Sequence, residues 1–414
     1  MKLVFVHQHF YPEIAGAVIR LTELAIDLSD YRFEITVITS LPYGPTENKI
    51  PRKETYKKIS IDRVSKSNFN KNSRLGRIWD AISFFIAAFI NILTRHHKSI
   101  LLVGSDPPFL PFLGWLTYKI CGQKYALLIF DIYPDLAVQL GYLKRKGVVT
   151  QLWEWMNRCS LANAIAVITP GITMKEVLAR KINSPSDCSK IRVIPTWEDG
   201  DTIKPILKNE NWFCKEHHLL DKTIVLYSGN MGLAHDLVSI IEAACLLKEK
   251  REILFLFIGE GGQKKLLMDL VRRKKMENVR FLPYQPPETI PYSLASGDIA
   301  LISMKSEVKG LCFPSKLQTA LASGQAIVGV VPPETEVAEL IESEDCGIRA
   351  NPGEPKEIAQ AILTLSEDRN RLSKYQRNAR RAFEVHFRKD RLIQNYVTLF
   401  ESISRKIPEL VESI

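Results

Sequence analysis

No two of the seven cysteines, at 121, 159, 188, 214, 245, 312 and 346, stand at a paired spacing, and their number is odd. That pattern argues against a disulfide framework and against a zinc site, and fits a reducing cytoplasm. The chain also lacks the full G-x-G-x-x-G dinucleotide fingerprint and any G-x-x-x-x-G-K-[ST] loop, which disfavours a nicotinamide enzyme and an ATPase. Met1 to Val6 is one short apolar run with a single Lys, below the length of a secretory h-region, so no export is expected. Nothing repeats at a period of 20 to 50 residues, which excludes solenoids and propellers.

What remains is ordinary for a soluble globular protein: 46% hydrophobic and 25% charged residues in 414. That length exceeds what one core usually supports, so two domains are expected. Strand-like and helical stretches alternate twice. The first series is Lys2–His7, Glu34–Thr39, Ile100–Val103, Tyr125–Phe130, Ala164–Ile168 and Arg192–Ile194. After a polar stretch around Thr196–Asp221 the pattern restarts with Ile224–Tyr227, Leu254–Ile258, Val279–Leu282, Ile299–Ser303 and Ala326–Val330. Apolar strands joined by helices mean parallel sheets, hence an α/β chain of two Rossmann-like, doubly wound domains. Their expected extents are 1–205 and 206–385, with 386–414 as a helical segment.

The most informative stretch is Ile224 to Ala243, where an apolar strand runs into Gly229-Asn230-Met231-Gly232 and then a helix expected from Leu233. Two glycines let the backbone approach a phosphate, and a helix N-terminus adds aligned N–H groups, so a phosphate-bearing ligand is the first hypothesis. A turn of this kind can equally serve tight packing alone. In doubly wound sheets ligands sit at the carboxyl ends of strands, and there the second half offers Gly259-Glu260-Gly261-Gly262, Tyr284-Gln285-Pro286, Glu307 and Pro314-Ser315-Lys316-Leu317.

Charge is uneven. Of the net +10, residues 51–98 carry eleven Lys and Arg against Glu54, Asp62 and Asp80, or 11 − 3 = +8. This block flanks the apolar segment Ile78 to Leu93, with Arg74 and Arg77 before it and Arg95 and Lys98 after. As a helix it places Asp80, Ser83, Ala87, Asn91 and Thr94 in one stripe and covers the rest with apolar side chains. At that length it is either a core helix of an α/β layer or a helix lying on an anionic membrane surface. Nucleic acid is a poor fit, because the basic block is interleaved with apolar residues and lacks aromatic platforms or a groove-reading helix.

Taken in order, several motifs resemble a family-4 retaining glycosyltransferase of the GT-B fold, in the bacterial subgroup that builds exopolysaccharide, O-antigen and colanic-acid-type repeat units. They are Phe10-Tyr11-Pro12-Glu13-Ile14-Ala15-Gly16, Ser105-Asp106-Pro107-Pro108, Asp131-Ile132-Tyr133-Pro134-Asp135 with Gly141, Ile168-Thr169-Pro170-Gly171, Ser228–Gly232, the Gly259–Gly262 turn, Tyr284-Gln285-Pro286 and Pro314-Ser315-Lys316-Leu317. The resemblance implies two Rossmann-like domains facing each other across a cleft, and closure over a nucleotide-sugar donor is expected, with the stretch near Trp197–Asp221 and the C-terminal helices as hinge. It implies a UDP-linked sugar on the second domain and an acceptor on the first. The implied donor set is Gly16, Ser228, Gly229, Asn230, Gly232, His235, Gly259, Glu260, Tyr284, Gln285, Glu307, Ser315 and Leu317, with Lys316 as the cation on the departing diphosphate. Asp131 is the candidate acceptor base, and Glu13, Asp106 and Asp135 stand on the acceptor or sugar side.

Departures from the family pattern are plain. Leu233 and His235 stand where an Arg and a Lys are common after the S-G-N-x-G turn, so charge on the diphosphate is expected from Lys316, with His235 either contributing when protonated or serving as a helix-capping or packing residue. The usual pair of glutamates eight apart falls on Leu311 and Thr319, leaving Glu307 as a substitute. Phe130 precedes Asp131 where a His is common, and Asp131 could instead cap a helix. His7 and His9 lack a third ligand, so a cleft-lining or structural role is expected and no metal or cofactor. The expected protein is therefore a metal-independent retaining transferase, peripheral on the cytoplasmic face of a bacterial plasma membrane, acting on a lipid-linked or saccharide acceptor. A UDP-sugar epimerase of the same architecture and a non-catalytic membrane-docking subunit are the rivals.

Overall fold

The computed structural model describes residues 1–13, 16–42, 50–64, 74–182 and 185–406. Motif residues Ile14 and Ala15, and the end of the C-terminal segment from 407, lie outside the described residues. Two compact units emerge: residues 1–195 together with the chain from Asp390, and residues 196–389.

The first unit is built on an eight-stranded sheet in the order β3-β4-β2-β1-β5-β6-β7-β8. Its strands are β1 (Lys2–Val6), β2 (Glu34–Ser40), β3 (Lys53–Tyr56), β4 (Ile59–Val64), β5 (Ile100–Gly104), β6 (Tyr125–Leu128), β7 (Ala166–Thr169) and β8 (Ile191–Val193). All neighbours pair in parallel except β3 with β4, which form an antiparallel edge. The parallel strands are apolar runs because helices cover both faces. The β3 and β4 pair escapes a hydropathy reading, since it carries Lys53, Glu54, Asp62 and Arg63. The Arg63 guanidinium is buried and held by Glu54 Oε2 at 2.5 Å. The last helix, Lys389–Lys406, belongs here and packs Phe400 against Phe33, with ring centroids 6.3 Å apart.

The second unit holds six parallel strands in the order β11-β10-β9-β12-β13-β14. These are β9 (Thr223–Ser228), β10 (Ile253–Ile258), β11 (Val279–Leu282), β12 (Ile299–Ser303), β13 (Ala326–Val330) and β14 (Gly347–Ala350). Period-two alternation divides its core. Val225, Tyr227, Phe255 and Phe257 point to one face, and Ile224, Leu226, Leu254 and Leu256 to the other, nearly all fully buried. Each such side chain contributes about 1.5–3 kcal/mol of transfer free energy. In both units the strand order reverses once, at β1/β5 and at β9/β12, and a doubly wound sheet opens its crevice at that reversal.

The apolar segment of the first unit is a longer helix than its composition indicates, Arg74–Arg95. Leu75–Arg95 is long and apolar enough to cross a membrane by length and composition, yet it lies against the sheet with Asp80, Ala81, Phe84, Ala88 and Ile92 buried. The polar stripe therefore does not mark the solvent side, for Asp80 is 1% exposed while Leu75, Ile78, Trp79, Ile86 and Ile90 face outward. Phe84→Ala should cost about 3–5 kcal/mol in urea unfolding, as expected for an aromatic core truncation. Ile86→Ser, at a position 52% exposed, should stay within about 0.5 kcal/mol of the parent, as expected of a surface change.

Candidate active site

The second unit's crevice is made by two turns locked backbone to backbone. The Met231 N–H donates to the Glu260 carbonyl at 2.7 Å, the Gln263 N–H to the Met231 carbonyl at 3.1 Å, and the Gly229 N–H to the Ile258 carbonyl at 2.8 Å. Gly259 (φ 136°) and Gly261 (φ 148°) are left-handed positions, and a Cβ on them would stand 2.2 Å from the Gly229 oxygen and 2.6 Å from Met231 backbone atoms. Only glycine permits that approach. The interlock uses the N–H groups of Gly229 and Met231, whereas those of Asn230, Gly232 and Leu233 have no protein acceptor among the described residues. Unpaired N–H groups converging at a turn form an anion-binding concavity.

Lys316 reaches over this turn. Its side chain passes where a Cβ of Gly229 would stand, its ammonium lies 5.0 Å above the Tyr227 ring, and Nζ is 3.2 Å from His235 Nε2. Among the described residues Lys316 forms no ion pair, and burial lowers its pKa to about 8. A desolvated cation without a carboxylate is costly unless an anion arrives.

His235 plays the reverse of its expected part. Burial, then the Lys316 charge, lowers its pKa to about 4, so it is neutral. Its Nδ1 is 2.6 Å from the Ser303 carbonyl oxygen and must carry the proton, leaving Nε2 to accept from Lys316. It is a rest for the lysine and adds no charge of its own.

The helix after the turn also starts later than expected, at Leu237, and its cap is occupied. Asp236 accepts from the Ser239 N–H and hydroxyl and, through Oδ2, from the Gly353 N–H at 2.7 Å. Any phosphate affinity therefore resides in the turn and Lys316, since the Asp236 carboxylate already covers the helix end.

The other donor-side candidates divide. Tyr284 is 54% exposed and its ring edge lies 3.3 Å from where a Gly259 Cβ would be, so it forms a platform beside the turn. The Glu260 carboxylate is engaged by Lys264 at 2.6 Å. Gln285 donates to the Pro283 carbonyl, Glu307 is exposed in the short helix Ser306–Val308, and Ser315 is exposed. Leu317, 1% exposed, faces the core and has no side-chain surface for a ligand, a correction to its assignment. Two residues that the motifs did not point to matter here. Gln263 Nε2 binds the carbonyls of Gly232 and His235 at 2.6 and 3.0 Å, and the Lys305 N–H ties the β12 end to the Ala234 carbonyl.

The first unit's crevice lies where β1, β5 and β6 end. His9 Nδ1 is 2.7 Å from Glu13 Oε2, and its Nε2 is 3.7 Å from Asp106 Oδ2. His7 packs where a Cβ of Gly104 would be only 2.4 Å away, and burial lowers its pKa. Asp131 is nearly buried, and desolvation, then the Asp106 charge, raises its pKa to about 6. It caps nothing, since the nearby helix Asp135–Gln139 begins after Pro134 with no side-chain cap. A carboxyl so tuned, at a strand end beside a second carboxyl, is a proton acceptor near neutral pH. Asp135 is displaced from the acceptor set, because its Oδ2 pairs with Lys181 Nζ at 2.7 Å, which also binds Glu154. Gly16 opens the helix Gly16–Ser29 with open space where a Cβ would point.

Known proteins resemble this chain in sequence and in fold. The chain is 27% identical to WcaI of Escherichia coli, named for colanic acid biosynthesis as a glycosyl transferase, over 83% of this chain and 86% of that one. It is 23% identical to the glycosyltransferase WbjE of Pseudomonas aeruginosa over 80% and 81%. Among solved structures, sucrose-phosphate synthase from Thermosynechococcus elongatus superposes with a TM-score of 0.79 at 14% identity, covering 98% of this chain and 99% of that one. HepE of Anabaena, solved in complex with UDP-glucose, gives 0.72 at 16%, covering 97% and 100%. These likenesses show the GT-B fold. Residues 208–382, the stretch that holds the glycine turns and Lys316, match the sequence profile of Glycosyl transferases group 1.

Proposed function

We propose that this protein is a retaining glycosyltransferase that moves a sugar from a UDP-sugar to a lipid-linked or saccharide acceptor in bacterial surface polysaccharide synthesis, at the cytoplasmic face of the membrane. The observation that carries the reading is Lys316, a desolvated ammonium without a carboxylate partner among the described residues, poised over a turn in which the Asn230, Gly232 and Leu233 N–H groups lack acceptors among those residues. HepE, with the same fold, binds UDP-glucose, and the two curated relatives are named as glycosyltransferases. As the glycosidic bond to the donor breaks, negative charge concentrates on the departing diphosphate. A cation and N–H groups fixed there stabilise the transition state more than the bound donor. His235 positions Lys316 through Nε2, and Asp131 on the first unit accepts the proton of the acceptor hydroxyl.

Purified protein offered a panel of UDP- and GDP-sugars should release nucleoside diphosphate only when a bacterial lipid extract is added. Sugar conversion without acceptor would indicate an epimerase, and absence of donor binding would favour a non-catalytic subunit. Lys316→Ala should lower kcat/KM by about 100-fold or more, the scale of losing one transition-state charge partner. His235→Ala should lower it less, since it removes only the positioning contact.

A pH dependence follows from the two shifted groups. Asp131 works ionised and loses its role as pH falls through about 6, while Lys316 works charged and loses its role as pH rises through about 8. The kcat/KM profile should therefore be a bell between those values. Asp131→Asn should flatten the acid limb, and Lys316→Arg should move the alkaline limb upward. An alkaline limb unmoved by Lys316→Arg would refute the assignment.

A further inference from the structure

The first unit contains a cavity of about 550 Å3 that none of the reaction steps above uses, bounded by Asp135 and by the helix Val148–Asn163. Arg145, Arg158, Gln151, Glu154 and Trp155 line it. Its two carboxylates are already committed, because Asp135 Oδ2 and Glu154 Oε2 each hold the Lys181 ammonium at 2.7 Å, and Lys181 is only 9% exposed. Arg158 Nε lies 3.7 Å from Glu154 Oε1 and is otherwise open to solvent, as is Arg145. The lining together with Lys181 therefore holds three cations against two carboxylates, and Lys144 and Lys146 beside Arg145 add two more.

At Trp155 the cavity's rim continues into exposed apolar surface, Trp155 being the one side chain of the following row that lines the cavity itself. Val148, Val149, Leu152 and Trp155 recur along one side of the helix and are 83%, 61%, 56% and 49% exposed, with Tyr142 at 59% just before them. Trp155 is fixed from beneath, its ring 5.6 Å from Phe112 and 5.8 Å from Trp115. A soluble protein rarely leaves such a row exposed beside a cluster of bases unless something amphiphilic covers it.

We propose that this cavity binds the phosphate headgroup of an anionic membrane lipid, with Arg145 and Arg158 on the phosphate and Val149, Leu152 and Trp155 against the acyl or prenyl chain. Guanidinium forks match phosphate oxygens bidentately, which a uniformly basic surface does not. The charge complementarity and the apolar rim select a lipid over a soluble phosphate, which would leave the rim uncovered. The site deepens the reading of a lipid-linked acceptor and rests on it for its biological sense, but its chemistry can be tested alone.

The test is flotation of the full chain with phosphatidylcholine vesicles carrying phosphatidic acid, or phosphatidylserine at matched surface charge. The wild type should prefer phosphatidic acid. Arg145→Gln with Arg158→Gln should weaken that binding by about 30-fold and abolish the preference, the scale expected for two basic residues at an anionic surface. Trp155→Ala should weaken binding to both vesicles, whereas Arg77→Gln with Arg95→Gln, on the helix Arg74–Arg95, should leave the preference intact. A wild type without the preference, a preference that survives the arginine pair of substitutions, or full competition by millimolar inorganic phosphate would each overturn the proposal. UDP binding measured on the same preparations separates the two readings. Its absence in the wild type would count against the donor site while leaving the lipid result standing.

Discussion

The second unit's site depends on one backbone contact, the closure of the Gly259–Gly261 turn onto the Gly229–Met231 turn. At 2.2 and 2.6 Å from a notional Cβ, neither Gly259 nor Gly261 can be any other residue without parting the two turns. Everything downstream inherits that distance. The Met231 and Gly229 N–H groups are consumed inside the interlock, so those of Asn230, Gly232 and Leu233 are the ones the turn leaves without acceptors among the described residues. The Lys316 stem can cross Gly229 only because no side chain stands there. A switch point in a doubly wound sheet provides a crevice, but here glycine geometry decides which polar groups point into it.

The charges obey a second constraint, that groups meant for a ligand stay unsatisfied in its absence. Lys316 has a neutral imidazole and a ring face in place of a carboxylate, and its depressed pKa records the cost. Among the described residues Asp131 forms no ion pair, and burial raises its pKa to about 6. By contrast Asp135, Glu154 and Lys181 neutralise one another at 2.7 Å, and Arg63 is neutralised by Glu54. That contrast separates charges left uncompensated from charges that hold the fold, although both sets look alike as letters. It sets Asp131 apart from Asp135, four positions on in the same motif.

Buried parallel strands are continuous apolar runs, so most of the twelve parallel-only strands were readable from composition, and both crevices followed from where those runs end. The runs missed were the short or charged ones. β3 and β4 carry a buried Arg63–Glu54 pair, and β14 includes Arg349. Local cap chemistry was readable but outweighed by the turn's glycines, since Asp236 with Ser239 three residues on marks the helix start. The state of His235 was not readable at all, because its tautomer is set by Ser303, 68 positions away, and its pKa by burial and Lys316. Leu317 shows the reverse error, since adjacency to Lys316 in a motif does not place a helical neighbour on the same face.

The helix Arg74–Arg95 resists assignment to core or surface because it is apolar on both sides, and its surroundings resolve its outward side. Helix Pro111–Cys121 packs against it and against Val148–Asn163, so the three lie side by side. The described residues of the first unit expose fourteen large hydrophobic side chains, and eleven of these fall between Leu75 and Trp155, on those helices or the Tyr142 loop. Random leakage of apolar residues to the surface would spread them over the whole unit. Their concentration, with Arg77, Lys119, Lys144, Arg145, Lys146 and Arg158 among them, gives the unit one amphiphilic side of the composition that the proposed lipid contact requires. As with Lys316, a feature costly in water alone is offset once the proposed partner covers it.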